Sequence, residues 1–272
     1  LNGDRVSHFL AALLGFVEGV TEYLPVSSTG HLILVSHFLG SEGEGAKSFD
    51  IVIQLGAILA VVIHYRALLV ARTKGLVAGS RESLHLFGAL LVAFIPTAVA
   101  GLLFRKIIRE HLFGPVPVAM ALAIGGVLMI VVERVRAARK IEGESGLESI
   151  TPARAFAIGV GQCFSLWPGA SRSMCTIVAG QLMGLSTSTA AEFSFLLALP
   201  TLGAATLYEL YKGRHELFDS VGVSQLAVGM VVSFFVAWAV IASFLRYLRT
   251  RGLEPFGYYR IAVAIAVWSL LR

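Results

Sequence analysis

Apolar runs recur along the whole chain with only short polar connections, and they fall into two groups. Six stretches, 50–65, 86–104, 117–133, 190–211, 222–246 and 257–271, approach the roughly 20 mostly apolar residues that a spanning helix needs. Two further regions are as apolar but interrupted: 8–24 with 28–40, and 154–166 with 172–184. Pro25 with Gly30 breaks the first and Pro168 with Gly169 the second, because proline removes a backbone donor and glycine admits dihedrals that other residues avoid. A break at membrane depth leaves backbone groups unsatisfied unless protein or water covers them. The pattern therefore predicts an all-α integral membrane protein with six transmembrane helices and two re-entrant pairs of half-helices, their turns facing the protein interior.

The order is broken pair then three spans, twice, which reads as an internal repeat within one membrane domain over 1–272. The first repeat covers 1–133, the second 154–272, and 134–153 connects them. An odd number of spans separates the two broken pairs, so they enter from opposite faces in an inverted-topology repeat and their tips meet near the midplane. Sequence similarity between the halves is faint. Pro25 followed by Ser27 and Ser28 resembles Pro168 followed by Ser171, Arg172 and Ser173, and Pro96 and Pro200 each lie within a span.

Composition agrees with lipid as the solvent, since 56% of residues are hydrophobic and only 14% charged. No stretch is left for a separate soluble domain. The formal net charge of +5 forms no basic stripe or recognition motif, which excludes nucleic acid as a partner. The basic residues read instead as topology signals. One set of connections holds Arg66, Arg72, Lys74, Arg81, Arg134, Arg136, Arg139, Lys140, Arg249 and Arg251 and is assigned to the cytoplasm; the opposite set holds Arg5, Lys47, Arg105, Lys106, Arg109, Lys212 and Arg214. The N-terminal broken pair then opens outward. Cys163 and Cys175 lie within apolar segments and read as packing residues. The run after Arg5 is interrupted by Glu18 and Glu22 and lacks a small-residue cleavage site, against a removable signal peptide; the absence of an initiator Met reads as a trimmed start.

The chemistry-bearing residues concentrate in the two broken segments. Glu18 and Glu22 project from one helical face of an apolar stretch. An acidic residue near the bilayer centre costs roughly 2.5 to 3.5 kcal/mol and like charges repel, so the pair is expected to share a proton or a cation, or else to form an interfacial polar face. After Pro25, the run Ser27-Ser28-Thr29-Gly30-His31 reads as capping hydroxyls that open a half-helix, whose N-terminus favours an anion. His31 lies on the same helical side as Ser28, where a neutral imidazole could take the serine proton or attack phosphorus itself; a satisfied structural histidine is the alternative. The remaining histidines read as interfacial. In the second break, Ser171, Arg172, Ser173 and Thr176 place hydroxyls and a guanidinium at the start of a half-helix. The planar arginine fork suits bidentate contact with phosphate, and a salt bridge from Arg172 to Glu18 or Glu22 competes with that use. Brought together, the tips would hold a nucleophile, a base, two carboxylates able to bind a divalent cation, and an arginine, a set that fits hydrolysis of a phosphate ester or anhydride.

Glu18-Gly19-Val20-Thr21-Glu22-Tyr23-Leu24-Pro25-Val26-Ser27-Ser28-Thr29-Gly30-His31 closely resembles the first signature of bacterial undecaprenyl-diphosphate phosphatases of the bacitracin-resistance type. The second signature, P-G-x-S-R-S-x-x-T, is matched by Pro168 to Thr176, and the resemblance continues through Phe49 to Gly56 and Glu192 to Pro200. The family more often has a small pair where this chain has Met174-Cys175. The resemblance implies hydrolysis of undecaprenyl diphosphate to undecaprenyl phosphate and inorganic phosphate, which recycles the lipid carrier for peptidoglycan synthesis and confers bacitracin resistance. It implies a divalent cation, magnesium or calcium, held by Glu18 and Glu22, and a site open to the periplasmic side of the plasma membrane. Carried over, Ser28 is the nucleophile, His31 and Glu22 activate it or protonate the leaving group, Arg172 clamps phosphate, and Ser27, Thr29, Ser171, Ser173 and Thr176 are ligands. Phosphorylation of His31 instead, and acid-base carboxylates without metal, stay open.

Inverted repeats with broken helices also build secondary transporters, so a flippase or transporter of an anionic substrate is the alternative from another class. The Ser28 and His31 pair and the nearby carboxylates favour chemistry. A structural scaffold would leave Glu18, Glu22, His31 and Arg172 in lipid with no compensating use.

Overall fold

The computed structural model describes residues 7–38, 44–213 and 222–271, and over them the chain is helical, with no strand among the described residues. Both interrupted regions are broken helices. In the first, α1 (His8–Thr21) begins where Ser7 accepts a hydrogen bond from the Leu10 N–H at 3.1 Å, and it stops as the chain nears Pro25. The chain restarts as α2 (Ser28–Phe38). In the second, α7 (Pro152–Cys163) runs through a 3-10 turn at Phe164–Leu166 to the Trp167–Ala170 corner, beyond which α8 (Arg172–Leu182) begins.

The remaining helices are α3 (Glu44–His64), α4 (Arg66–Val77), α5 (Arg81–His111), α6 (Pro115–Ala138), α9 (Thr187–Gly213), α10 (Val223–Leu248) and α11 (Glu254–Leu270). Four of these, α5, α6, α9 and α10, are long and apolar enough to cross a membrane, and α3 with α4 makes a fifth candidate if the pair is counted as one bent element. Two expectations change. Residues 66–77, read as part of a basic connection, form α4, set at 72° to α3. Good helix formers (Ala, Leu, Arg, Lys) let the chain resume a helix after the bend, while Arg72 ties it to Glu82 and to Glu148 at 3.1 Å. The last apolar stretch gives a helix of only 17 residues, short of the roughly 20 a perpendicular crossing needs. Large apolar side chains turned outward on the long helices, such as Leu102 at 75% and Leu103 at 71% exposure, suit hydrocarbon rather than water.

Close packing is set by small residues. A side chain at Gly19 would run into the Ser233 carbonyl at 2.8 Å and one at Gly126 into the Gly257 carbonyl at 2.7 Å, so α1 seats on α10 and α6 on α11 at backbone contact. Gly15 faces Gly229 on α10, and Gly159 of α7 faces Ala93 on α5 in the same way. Polar contacts sort the helix ends. His8, at the start of α1, lies 3.1 Å from Ser224 at the start of α10. Residues just before α7 join instead to the region where α4 meets α5, through Arg72 and Glu148.

Of the basic residues read as topology signals, Arg136 has a different duty. It is buried, and it donates to the Gln181 carbonyl at 2.5 Å, in the last turn of α8, and to the Leu185 carbonyl at 3.0 Å just beyond it, so a cation sits at the negative end of that helix. Arg5 and Arg214 lie outside the described residues, as do residues 39–40 of the first half-helix pair and the side chains of Lys47, Arg109 and Lys212.

Candidate active site

The two turns meet. A side chain at Gly30 would approach the Gly169 Cα to 3.2 Å, so α2 and α8 begin beside one another. Each start is organised alike. Ser27 adopts φ 75° and its hydroxyl accepts from the Gly30 N–H at 3.1 Å; Ser171 adopts φ 73° and accepts from the Met174 N–H at 3.2 Å. A non-glycine residue at positive φ costs about 1–3 kcal/mol and persists only where its surroundings enforce it. Here the strained serine turns the chain sharply into the helix while its hydroxyl satisfies one of the free N–H groups there.

Between the tips lies a cavity of about 190 Å³ lined by Glu22, Ser28, Thr29 and Ser27 from the first turn, and by Ser171 and Arg172 from the second. A larger apolar groove of about 480 Å³ between α6 and α11, lined by Ala119, Ile261, Ile265 and Trp268, carries no titratable side chain, so the chemistry resides in the smaller, polar cavity.

Glu22 is the hub. One of its carboxylate oxygens accepts from the Ser28 hydroxyl, and the other accepts from Arg172 Nη2 at 3.0 Å. All three side chains are nearly enclosed, with Arg172 at 8% and Glu22 at 6% exposure, so this is a desolvated pair whose hydrogen bonds must be satisfied to be tolerated. Arg172 is oriented by donating Nη1 to the Ser194 carbonyl at 2.8 Å, and its guanidinium carbon lies 5.7 Å from the Tyr23 ring centroid. Tyr23 is fixed in turn by its hydroxyl on the Ala57 carbonyl at 2.8 Å. Thr176 lies behind the site, its hydroxyl on Ser194 Oγ at 2.6 Å; Ser173 donates to the Leu24 carbonyl at 2.9 Å and thereby links the second turn to the first. Neither Thr176 nor Ser173 lines the cavity.

His31 departs from the expected pairing with Ser28. Its Nδ1 lies 2.7 Å from the Ser27 carbonyl, which can only accept, so Nδ1 carries a proton; in the neutral ring Nε2 then accepts from the Tyr259 hydroxyl at 2.8 Å. The imidazole also stacks on Tyr259, with 5.7 Å between centroids. Both nitrogens are thus engaged away from the serine oxygen, and sharing a helix side did not bring the two groups together. Glu18 is buried too, but it lies outside the cavity lining, and its Oε1 has no hydrogen-bond partner.

Several site residues escaped the sequence reading. Thr97 and Thr201, each directly after the proline of its helix, line the cavity, and Gln162 reaches both, at 2.9 and 3.4 Å. Ser194 and Arg260 were missed as well, although a charge inside a spanning stretch is itself a signal. Behind Arg172, Met174 fits because Gly125 faces it: a side chain there would meet the Met174 methyl at 2.8 Å.

For the implied cation the donor set is sparse. Among the described residues no group of three His, Cys, Asp or Glu side chains converges. Glu22 has both oxygens engaged, but each carboxylate oxygen keeps a further lone pair, and the buried Glu18 Oε1 has no hydrogen-bond partner. Magnesium, which binds through one or two carboxylates plus substrate phosphates and water, fits this set better than calcium, which takes 6–8 oxygens.

Fold and site together define a multi-pass membrane protein with a polar cavity between two broken helices. The chain belongs to the family described as bacitracin resistance protein BacA, which it matches over residues 11–266. It is 59% identical over 262 residues to an undecaprenyl-diphosphatase of Sorangium cellulosum, covering 96% of this chain and 85% of the relative. An undecaprenyl-diphosphatase of Thermoanaerobacter pseudethanolicus is 48% identical over 96% of both chains, and undecaprenyl-diphosphatase 2 of Rhodospirillum rubrum is 45% identical over 98% of this chain and 97% of its own.

Proposed function

We propose that this chain hydrolyses undecaprenyl diphosphate to undecaprenyl phosphate and inorganic phosphate, recycling the lipid carrier for peptidoglycan synthesis and conferring bacitracin resistance. The observation that carries the reading is the buried relay from Ser28 to Glu22 to Arg172 in a hydroxyl-lined cavity at two helix N-termini. In the first step Glu22 takes the Ser28 proton as Oγ attacks the terminal phosphorus. The bond to the bridging oxygen breaks, its electron pair leaves with undecaprenyl phosphate, and Glu22 passes its proton to that leaving oxygen, which restores the carboxylate. Arg172 and the N–H groups opening α2 and α8 stabilise the charge that spreads over the phosphoryl oxygens. Water then attacks the phosphoserine, giving one proton to Glu22 that returns to Ser28 as inorganic phosphate leaves. Thr29, Ser27 and Ser171 are ligands in the cavity wall, and Ser173 and Thr176 hold the second turn in place.

His31 supports the first turn by gripping the Ser27 carbonyl. A divalent cation, magnesium in preference to calcium, would be held by Glu22 with Glu18 behind it, and would neutralise the diphosphate.

The finer topology follows the same logic: two re-entrant pairs in an inverted repeat, 1–133 and 154–272 joined by 134–153, within six spans of the bacterial plasma membrane. The matching dihedrals and caps of Ser27 and Ser171 support it, as do the matched seats of Gly15 on Gly229 and Gly159 on Ala93. The first pair opens outward, so the cavity faces the periplasm.

Phosphate release from undecaprenyl diphosphate by purified protein in detergent, with magnesium, calcium or chelator, tests the activity and the cation together. A protein that only moves lipid across the bilayer releases none.

A further inference from the structure

Arg260, on α11, is the largest fully buried side chain among the described residues, at 0% exposure. Its guanidinium meets five backbone carbonyls from three separate elements. Nη1 donates to Pro25 at 3.0 Å, in the first turn; Nη2 lies 3.0 Å from the Gly169 carbonyl and 3.1 Å from that of Ala170, in the second. Nη2 also reaches Ala121 at 3.0 Å, and Nε reaches Leu122 at 3.3 Å, both on α6. The fork is accommodated because residue 125 is glycine, since any side chain there would collide with Nη2.

No aspartate or glutamate among the described residues pairs with this arginine. A cation removed from water is tolerated only where hydrogen bonds replace its hydration, and carbonyl dipoles do so without cancelling its charge. Arg172, by contrast, is neutralised by Glu22. The remaining positive charge therefore sits one hydrogen bond away from Gly169, which lines the cavity. Anion binding there is favoured even though Arg260 is walled off from the cavity. The two turns have no covalent link short of the intervening chain, and they are tied directly by the neutral Ser173 to Leu24 hydrogen bond and by the Arg172–Glu22 ion pair, which bound substrate would loosen. The rigid fork adds charge-assisted contacts to five carbonyls, with the two Nη2 protons shared among three of them, and so clamps both turns to α6.

We propose that Arg260 is a positioning residue for the reaction: it pins the turn at Pro25 to the turn at Gly169 and Ala170. The pin sets the spacing of Ser28 from Arg172 and holds positive charge behind both helix starts. This rests on the phosphatase reading above for its kinetic consequence, while the geometric consequence stands by itself. Arg260→Lys keeps the charge, but a compact ammonium with three donors cannot span carbonyls on both turns and α6. Arg260→Met keeps length and removes charge and donors.

The experiment is steady-state phosphate release from undecaprenyl diphosphate, normalised to folded protein by size-exclusion chromatography, for wild type and both variants. Alongside it, nitroxides at Phe38→Cys and Met183→Cys, in a background with Cys163 and Cys175 replaced by alanine, report the distance between the far ends of α2 and α8. Expected for Arg260→Lys is a kcat lower by about 100-fold with KM within about threefold, because misplacing reacting groups by an ångström costs on that order, together with a broadened distance distribution. For Arg260→Met, KM rises as well. Should Arg260→Met not fold, Arg260→Lys alone decides. A wild-type distance distribution in a folded variant, or a kcat per folded molecule within about threefold of wild type, overturns the proposal. If wild type releases no phosphate, the phosphatase reading fails, and the distance distributions still decide whether Arg260 pins the turns.

Discussion

Arg172 Nη2 and Glu22 Oε1 meet at 3.0 Å across 150 residues of chain, and the same carboxylate takes the Ser28 hydroxyl on its other oxygen. The pair serves two ends at once. It neutralises two charges that would each be costly alone in a dry interior, and it poises a base against a hydroxyl beside the cation that would receive phosphate. Substrate would compete with Glu22 for Arg172, so binding would loosen the ion pair as it frees the carboxylate to take a proton.

Glu22→Gln tests the base. The amide is isosteric but cannot take the Ser28 proton, and kcat is expected to fall by about 10² to 10⁴. Orthovanadate inhibition should be retained or tightened, because Arg172 loses its competitor. Turnover within tenfold of wild type would remove Glu22 from that role.

Arg172→Lys separates charge from geometry. One ammonium cannot serve the Ser194 carbonyl and Glu22 while also gripping phosphate in two places. Loss of kcat/KM by about 10² to 10³ is expected. Arg172→Met goes further and leaves Glu22 buried and unpaired, at a cost of about 3–5 kcal/mol. A melting temperature equal to that of wild type would contradict that.

Rapid quenching of turnover with substrate labelled in its terminal phosphate should place the label on Ser28 as an acid-stable ester. An acid-labile phosphohistidine at His31 would reverse the assignment. The ring is engaged at both nitrogens, so Tyr259→Phe, which removes only one of those contacts, is expected to slow turnover less than His31→Phe, which also releases the Ser27 carbonyl.

Gly169→Ala is expected to destabilise the protein through two separate effects. The residue holds φ 95°, and the new Cβ would stand 2.6 Å from the Val118 carbonyl. Gly184→Ala, at φ 86° with its nearest neighbour at 3.7 Å, carries the dihedral cost alone, about 1–3 kcal/mol. Melting in detergent should therefore rank wild type above Gly184→Ala, and Gly184→Ala above Gly169→Ala. The reverse order would show that the second turn can draw back from α6.

The lipid environment, the two breaks and the residues that crowd them were legible in the chain itself. Apolar run length, proline, and the cost of an ion in hydrocarbon are local properties, and Glu18, Glu22, Ser28 and Arg172 stand out against leucine and valine without any knowledge of the fold. Partnership is not local. Ser28 and His31 share a helix side, yet a strained φ at Ser27 and the neighbouring Tyr259 turn the imidazole elsewhere and leave the serine to Glu22. Arg260 drew no role from its place in an apolar stretch, and only the packing of α11 on α6 carries it beneath both turns. The pattern of the chain determined that two broken helices bear the chemistry; the tertiary structure decided which groups touch, because hydrogen-bond reach is about 3 Å and only folding brings residues so far apart in sequence within it.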